Sequence, residues 1–495
     1  MMKKILLSLF VLCSTATLRA EVSLPNIMAS NMVLQQQQAV PIWGWADPGE
    51  RVTVTFAGQS KTVITNKSGK FMVKLDAMEA NATPQDLKIG NVKLTNILVG
   101  EVWLCSGQSN MEYGFRPEKG VKYGNDMVRM FHVHDHTKSA FAMDDTNGAW
   151  NSFKDGDSKR FSGVGLYFGM MLQKELGVPV GLIDSSWGGT AIEPWIADEG
   201  YTLIDKPLKK QDMAAINKQQ EKVIGEVEAW LSKAKQASSV GRINPFDVKT
   251  AIGGKAPNGI YNAMVAPLAP FAIKGSIWYQ GESNRGSRDY FDKLKALQGG
   301  WAKVFNAPDL PLYLVQIAPY DYNRGKRSAK DVTLCNAIWT AQYQAAAELK
   351  NCGIIATHDT INGNVKDIHP RDKKPVGERL AAMALNKTYS KKVVCSGPAF
   401  KSAKAKGAKV IVAFDAIDQG LETADGKAPT WFELSADGKS FTTADAIIDG
   451  NTVIVSSPTV SAPKFIRMGW SEIAIPTLRV KNGWPAFQFS AMPVK

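Results

Sequence analysis

Cysteine and histidine are scarce in this chain. Its 495 residues hold five of each. The cysteines show none of the paired spacing of a zinc module. A phosphate loop and a dinucleotide fingerprint are both missing, which argues against nucleotide-driven chemistry. No internal apolar run reaches the roughly 18 residues that a membrane span needs. Repeats and low-complexity tracts are also missing, which excludes a solenoid or a disordered tail. With 44% hydrophobic and 21% charged residues the chain is ordinary globular material. At this length two or three domains are expected.

The N-terminus stands apart. Lys3 and Lys4 precede Ile5 to Leu12, apolar except for Ser8, and a short stretch then ends in Leu18-Arg19-Ala20. This pattern predicts a signal peptide over residues 1–20, cut after Ala20, and a secreted or periplasmic protein. Leu12 makes Cys13 a poor lipidation site. Losing Lys3, Lys4 and Arg19 lowers the net charge from +13 by three, to +10. The remaining lysines are scattered. They describe a solvated surface with no nucleic-acid stripe. Export permits disulfides. Cys105 and Cys335 sit in apolar surroundings that read as buried thiols, and Cys352–Cys395 is the pair to test for a bridge.

Residues 21–96 read as an N-terminal β-sandwich-like domain. Arg51 to Phe56 alternates, Gly58-Gln59-Ser60 turns, and Asn66-Lys67-Ser68-Gly69 turns again before Phe71 to Leu75. From residue 97 to 395 strand candidates alternate with helix candidates. The strands are Ile97–Leu104, Val180–Asp184, Ile273–Tyr279, Leu312–Ile317 and Gly353–Thr357. A helix follows Ser162 and stops at Gly177, and another opens at Pro375. This order predicts an α/β fold: a parallel sheet with helices on both faces. A helical insertion is expected at about 198–250, with Met213, Ile216, Val223, Ile224, Val227 and Trp230 at helical spacing. Residues 396–495 form a C-terminal β region with Asp-Gly turns at Asp437-Gly438 and Asp449-Gly450.

The chemistry centres on Gly107-Gln108-Ser109-Asn110. Gly58-Gln59-Ser60 repeats the tripeptide in a plain hairpin, so the motif alone proves nothing. Ser109 differs because it follows the first strand of the parallel sheet, where sites in open α/β sheets lie. The next strand ends in Trp187-Gly188-Gly189-Thr190, whose glycines let backbone N–H groups approach a ligand. Trp187 and Trp195 are candidate sugar platforms or plain core. After the third strand, Gln280 and Asn284 each offer a side-chain N–H for an oxyanion, or satisfy loop backbone. Glu282 there is a candidate acid or a salt-bridge partner. After the last strand comes Asp367-Ile368-His369. In an extended stretch, residues two apart point the same way, so Asp367 can orient His369 toward a serine. His358 beside Asp359 is the rival base. His132, His134 and His136 would share one face of a strand, as a metal site or as an alternating polar face.

Taken in order, these segments resemble the sialate O-acetylesterase family of SGNH hydrolases. The likeness runs from Leu24-Pro25, Asn31-Met32-Val33-Leu34-Gln35 and Pro41 to Ala46 through the serine block at 107–111 and Gly188-Gly189-Thr190. It continues through Trp278 to Asn284 and Gln316 to Pro319, then Ile368-His369-Pro370 with Val376 to Leu380. The resemblance implies a flavodoxin-like SGNH fold and removal of O-acetyl groups from sugars. It implies Ser109 as nucleophile, His369 as base and Asp367 as its partner, with no metal or organic cofactor. The implied oxyanion hole takes the Ser109 amide, a glycine amide of 188–189 and a side chain, Gln280 or Asn284. The tryptophan-arginine pair expected after the third block is Trp301-Ala302 here.

The sugar stays open between sialic acid and acetylated xylan or another plant glycan. Arg116, Arg285 and Arg288 are candidates for a sialate carboxylate. Two other readings are a glycoside hydrolase using two of Asp184, Glu193, Glu282 and Asp367, and a glycan-binding protein without catalysis.

Overall fold

The computed structural model describes residues 22–119, 123–155, 157–204, 210–236, 257–322, 335–481 and 483–495. The expected signal peptide, with Cys13, lies outside the described residues. So do 205–209 and 237–250 of the expected insertion, and the side chains of Met213, Ile216 and Trp230.

Six strands come first: β1 (Val33–Gln35), β2 (Val40–Trp45), β3 (Arg51–Phe56), β4 (Gln59–Ile64), β5 (Lys70–Leu75) and β6 (Asn81–Ile89). Alternation buries Val52, Val54 and Phe56 of β3 and Phe71, Val73 and Leu75 of β5. The β3–β4 hairpin turns on Ala57 and Gly58, both at positive φ. Gln59 and Ser60 already belong to β4, so this copy of the tripeptide is ordinary strand.

β7 (Val92–Gly107) is 16 residues long. Its first half pairs with β6 and β1, and its second half pairs in parallel with β10 (Val180–Ser186) and β11 (Gly275–Tyr279). One strand therefore serves both units, in a single 11-stranded sheet. Residue 97 is where its burial changes. Exposed and half-buried residues alternate up to Asn96, and from Ile97 every residue is buried. The pattern shift at 97 marks a change in what covers the strand. The chain does not break there.

The central order is β13 (Cys352–Ile355), β12 (Leu312–Val315), β11, β7, β10, β8 (Val128–Val133) and β9 (Gly148–Ser152). Only β9 runs antiparallel among these seven, so the sheet is mixed. The pair β8–β9 was not legible because Arg129 and His132 interrupt the apolar pattern of β8.

Helices are α1 (Ser109–Glu112), α2 (Gly163–Leu176), α3 (Asp198–Tyr201), α4 (Lys210–Gln236), α5 (Tyr290–Val304), α6 (Asn336–Glu348) and α7 (Lys374–Lys387). α2 is capped as expected: Ser162 Oγ accepts from the Gly165 N–H at 3.0 Å, and Gly177 stops the helix at φ 70°. On α4 Val223 is buried and Ile224 exposed. Trp103 and Cys105 of β7 pack in one core with α2 and α7. Val102 and Leu104 pack in another, with α5 and α6. Each such buried side chain contributes roughly 1.5–3 kcal/mol, and a slip of one residue would swap the faces.

The C-terminal region holds two four-stranded antiparallel sheets between Ala399 and Pro493. It docks on α6, where Trp470 packs against Trp339 and Tyr343 at 5.8 and 6.4 Å. Gln316 Nε2 donates to Gln488 Oε1 at 2.6 Å beneath that contact. All four described cysteines are free thiols, so the Cys352–Cys395 bridge is not made. Cys352 belongs to the core under α5 and α6, whereas Cys395 packs against the core on the other face.

After β7 the chain builds β8, β9 and β10 on one side and later β11 on the other, which opens a crevice at the carboxyl ends of the central strands. Gly107 closes β7 at φ 140°, and a Cβ there would lie 2.2 Å from the Tyr279 carbonyl oxygen. Gly107→Ala is therefore expected to cost at least ~2 kcal/mol in chemical denaturation, from strain and clash together. A loss below about 0.5 kcal/mol would show that the turn can relax.

Candidate active site

The turn after β7 is held from both sides. The Gln108 N–H donates to the Tyr279 carbonyl at 3.0 Å, and the Trp187 N–H donates to the Gly107 carbonyl at 3.0 Å. Ser109 then opens α1, half-buried at the mouth of the crevice. His369 arrives from the loop after β13, and its Nε2 lies 2.9 Å from Ser109 Oγ. The two residues are 260 positions apart in sequence.

Asp367 joins them differently from the expectation. Its segment is a bend, not an extended stretch, so two-residue alternation does not apply. The Asp367 carboxylate accepts from the backbone N–H of His369 at 3.0 Å and pairs with Arg371 Nε at 3.5 Å. It thus orients His369 through the main chain and supplies a negative charge nearby. Burial pushes the imidazole below its ordinary pKa, and Lys373 adds to that; Asp367 and Glu112 oppose it. The ring is therefore neutral near pH 7 and able to accept a proton. Tyr113 stacks on it at 6.2 Å, and the Arg116 guanidinium lies 4.8 Å from the Tyr113 ring.

The expected oxyanion donors divide. Gly188 sits beside Ser109, since a Cβ on it would meet Ser109 Cβ at 3.2 Å. Its N–H donates to Glu112 Oε2 at 2.6 Å. Gly189 is exposed at φ 73°. Gln280 and Asn284 are both spent inside the protein. Gln280 Nε2 faces three acceptors: Asn284 Oδ1 at 2.8 Å, and Gln108 Oε1 and the Thr190 carbonyl at 3.1 Å each. Asn284 Nδ2 donates to both carboxylate oxygens of Glu193, at 3.1 and 3.0 Å. A buried amide with its hydrogens already placed gives up bonds to reach a new acceptor.

Of the candidate platforms, Trp187 is half-buried and stacked on His136 at 5.1 Å, with Lys138 Nζ 5.2 Å from its ring. Trp195 is core: its Nε1 donates to Thr190 Oγ1 at 3.0 Å, and its ring packs edge-on against Trp278. Glu282 is buried, and its Oε1 accepts from the Asn110 side-chain amide at 2.8 Å, so it frames the loop and does not line the surface. Arg285 is exposed, stacked over Tyr322 at 4.0 Å, and donates to the Glu282 carbonyl. Arg288 is exposed too. Trp301 is buried, with Nε1 donating to the Trp195 carbonyl at 3.0 Å.

The remaining acids are committed elsewhere. Asp184 accepts from the Ser162 N–H and the Ser186 hydroxyl, and burial pushes its pKa up to about 7. Glu193 pairs with Lys293 at 2.7 Å. The three clustered histidines do not converge. His132 and His134 pack ring to ring at 5.4 Å, while His136 pairs with Glu112 at 3.3 Å. Among the described residues no three His, Cys, Asp or Glu side chains are placed to hold a metal. The rival base is buried: Asp359 is held by Arg379 at 2.5 Å, and burial pulls His358 down to about 4. A groove of about 730 Å³ between α2, α7 and Trp484 contains neither Ser109 nor His369.

Three residues carry more of the site than their sequence context advertised. Asn110 Nδ2 donates to Glu282 Oε1 at 2.8 Å and to the Ile368 carbonyl at 3.1 Å. Lys373 Nζ donates to Asn110 Oδ1 at 2.6 Å. Glu112 holds the Gly188 amide. Asn110 follows the serine directly and Glu112 comes three residues after it, which was the available signal. Nothing in sequence spacing pointed to Lys373.

A family model for carbohydrate esterases, described as sialic acid-specific acetylesterase, matches residues 99–232 and 248–386. The sialate O-acetylesterase of Rattus norvegicus is 29% identical over 410 residues, covering 73% of this chain and 72% of its own. That of Homo sapiens is 28% identical, covering 73% and 70%. Among solved structures, a carbohydrate acetylesterase from Xanthomonas citri superposes with a TM-score of 0.77 at 30% identity, covering 95% of this chain and 99% of that one.

His358 has a consequence that unfolding experiments read. Its native pKa, about 4, lies below the ordinary 6.5, so between those values the unfolded chain binds the extra proton. This contribution to stability is present above pH 6.5 and drains away as pH falls toward 4. It amounts to about 3 kcal/mol at most. The stability difference between wild type and His358→Gln should narrow by that order across the window. A difference that stays flat with pH would refute the neutral buried ring.

Proposed function

The chain belongs to the sialic acid-specific acetylesterase family of carbohydrate esterases and is a carbohydrate O-acetylesterase; we propose that it works through an acetyl-serine intermediate on Ser109. The observation that carries this is the 2.9 Å approach of His369 Nε2 to Ser109 Oγ. As the hydroxyl oxygen attacks the acetyl carbonyl carbon, its proton passes to Nε2. Asp367 and Glu112 stabilise the imidazolium that forms. Charge on the carbonyl oxygen goes to the amide N–H groups of Ser109 and the Gly188–Gly189 turn, Gly188 serving once Glu112 lets go. The intermediate collapses, and the imidazolium protonates the departing sugar oxygen. Water then attacks the acetyl-serine with His369 again as base, releasing acetate and restoring the serine. Each of these steps uses side chains and amides of the chain itself.

Acetylated sugars are the substrate class, and the choice lies between acetylated sialic acid and acetylated xylan or a related plant glycan. Arg116 and Arg285 are exposed cations near the site that suit a sialate carboxylate. The N-terminal pattern of residues 1–20 supports export to the periplasm or outside the cell. A glycosidase needs two carboxylates free to meet the sugar. Asp184, Glu193 and Glu282 are instead held by protein groups, which disfavours that reading.

Ser109→Ala should lower acetate release from 4-nitrophenyl acetate and from acetylated xylooligosaccharides by at least ~10³-fold. Unchanged release would sink the acetyl-serine route. A panel that adds 9-O-acetyl sialic acid, scored for acetate and for reducing sugar, separates the leaving alcohols and tests the glycosidase alternative.

A further inference from the structure

Lys373 is an odd residue for its place. It caps the N-terminus of α7, where the helix dipole disfavours a cation, and it is 3% exposed. Burying an ammonium costs several kcal/mol unless partners meet it. The partners are specific. Nζ donates to Asn110 Oδ1 at 2.6 Å and lies 5.1 and 5.5 Å from the rings of Tyr113 and Tyr279. The carboxylates of Glu282, Asp367 and Asp372 act on it electrostatically.

Asn110, the residue it holds, is the hinge pin of the site. Asn110 directly follows Ser109, and its Nδ2 reaches the carbonyl of Ile368, directly before His369, as well as Glu282 of the third loop. One amide thus ties the serine turn, the histidine loop and the loop after β11. The groups facing His369 are Ser109, Glu112 and Tyr113 from α1 and its end, and Asp367 and Lys373 from its own loop. Arg371 neutralises part of Asp367 from solvent. Lys373 is the one cation among those groups that acts directly on the ring.

We propose that Lys373 is a positioning residue for the reaction: through Asn110 it locks the Ser109 turn to the His369 loop, and it sets a positive charge beside the imidazole. The proposal deepens the serine mechanism and rests on it. Burial lowers the pKa of Lys373 itself to about 7, so the ammonium is charged on the acid side, where His369 takes up its proton. Removing it should raise the protonation midpoint of His369 and move the acid limb of kcat/KM to higher pH. A purely structural role would change stability or kcat and leave that midpoint in place.

The test follows the His369 imidazole by NMR titration, alongside pH profiles of kcat/KM for 4-nitrophenyl acetate. In Lys373→Met we expect kcat to fall at least tenfold with KM little changed, and the midpoint to rise by half a pH unit or more. Asn110→Ala keeps the ammonium, so it should lower kcat without raising the midpoint. A folded Lys373→Met with an unmoved midpoint overturns the proposal. Where Lys373→Met fails to fold, Lys373→Gln, which keeps a donor for Asn110 and drops the charge, decides instead: a midpoint no higher than the wild type's overturns the proposal. If wild type releases no acetate in a Ser109-dependent way, the esterase mechanism falls, while the titration still rules on Lys373.

Discussion

The structure depends on a single continuous strand. β7 runs from the N-terminal sheet into the central one, and its hydrogen bonds on both edges leave it no freedom to slide. Trp103 and Cys105 face one core and Val102 and Leu104 the other, so its register is fixed from two sides at once. The serine at its end inherits that rigidity. Gly107 makes the sharp exit possible, because the Tyr279 carbonyl occupies the space a side chain would need. The N-terminal unit therefore does more than decorate the catalytic one: it anchors the far end of the strand that presents Ser109.

Around the Ser109–His369 pair, charges are held in opposed layers. Glu112 and Asp367 favour the imidazolium, while burial and Lys373 favour the neutral ring. Below them Glu282 and Asn110 connect the turn to the loops, and burial pushes the Glu282 carboxyl above the usual range. Gln280 and Asn284 extend this layer into Glu193 and Lys293. These amides look like reactive-site donors in sequence, yet they serve as the frame on which the reacting loops rest. A buried amide whose hydrogens are all placed rigidifies a site more than it serves a substrate.

Much was legible without coordinates. Short apolar runs interleaved with helix signals exposed the five parallel strands, the Ser162 and Gly177 caps bounded α2, and the order of strand-end blocks set Ser109 apart from Ser60, its look-alike. These are local signals: side-chain period, turn chemistry and position after a strand. β8 and β9 were missed because polar residues break their pattern, and β9 runs against the expected parallel order. The bend at Asp367 defeated the alternation argument, since no residue type there forbids an extended chain.

By itself, then, the sequence determined most of the elements and their order, because each follows from neighbours within a few residues, and it put forward Ser109, His369 and Asp367 as candidates from the order of the strand-end blocks. Only the tertiary structure decided that Asp367 meets His369 through the backbone N–H, that Gln280, Asn284, Trp195 and Glu282 face inward, and that Glu112 and Lys373 gather around the Ser109–His369 pair. Those outcomes depend on which loops meet at the carboxyl ends of β7, β10, β11 and β13. A contact such as His369 to Ser109, across 260 residues, exists only once the sheet has brought those ends together.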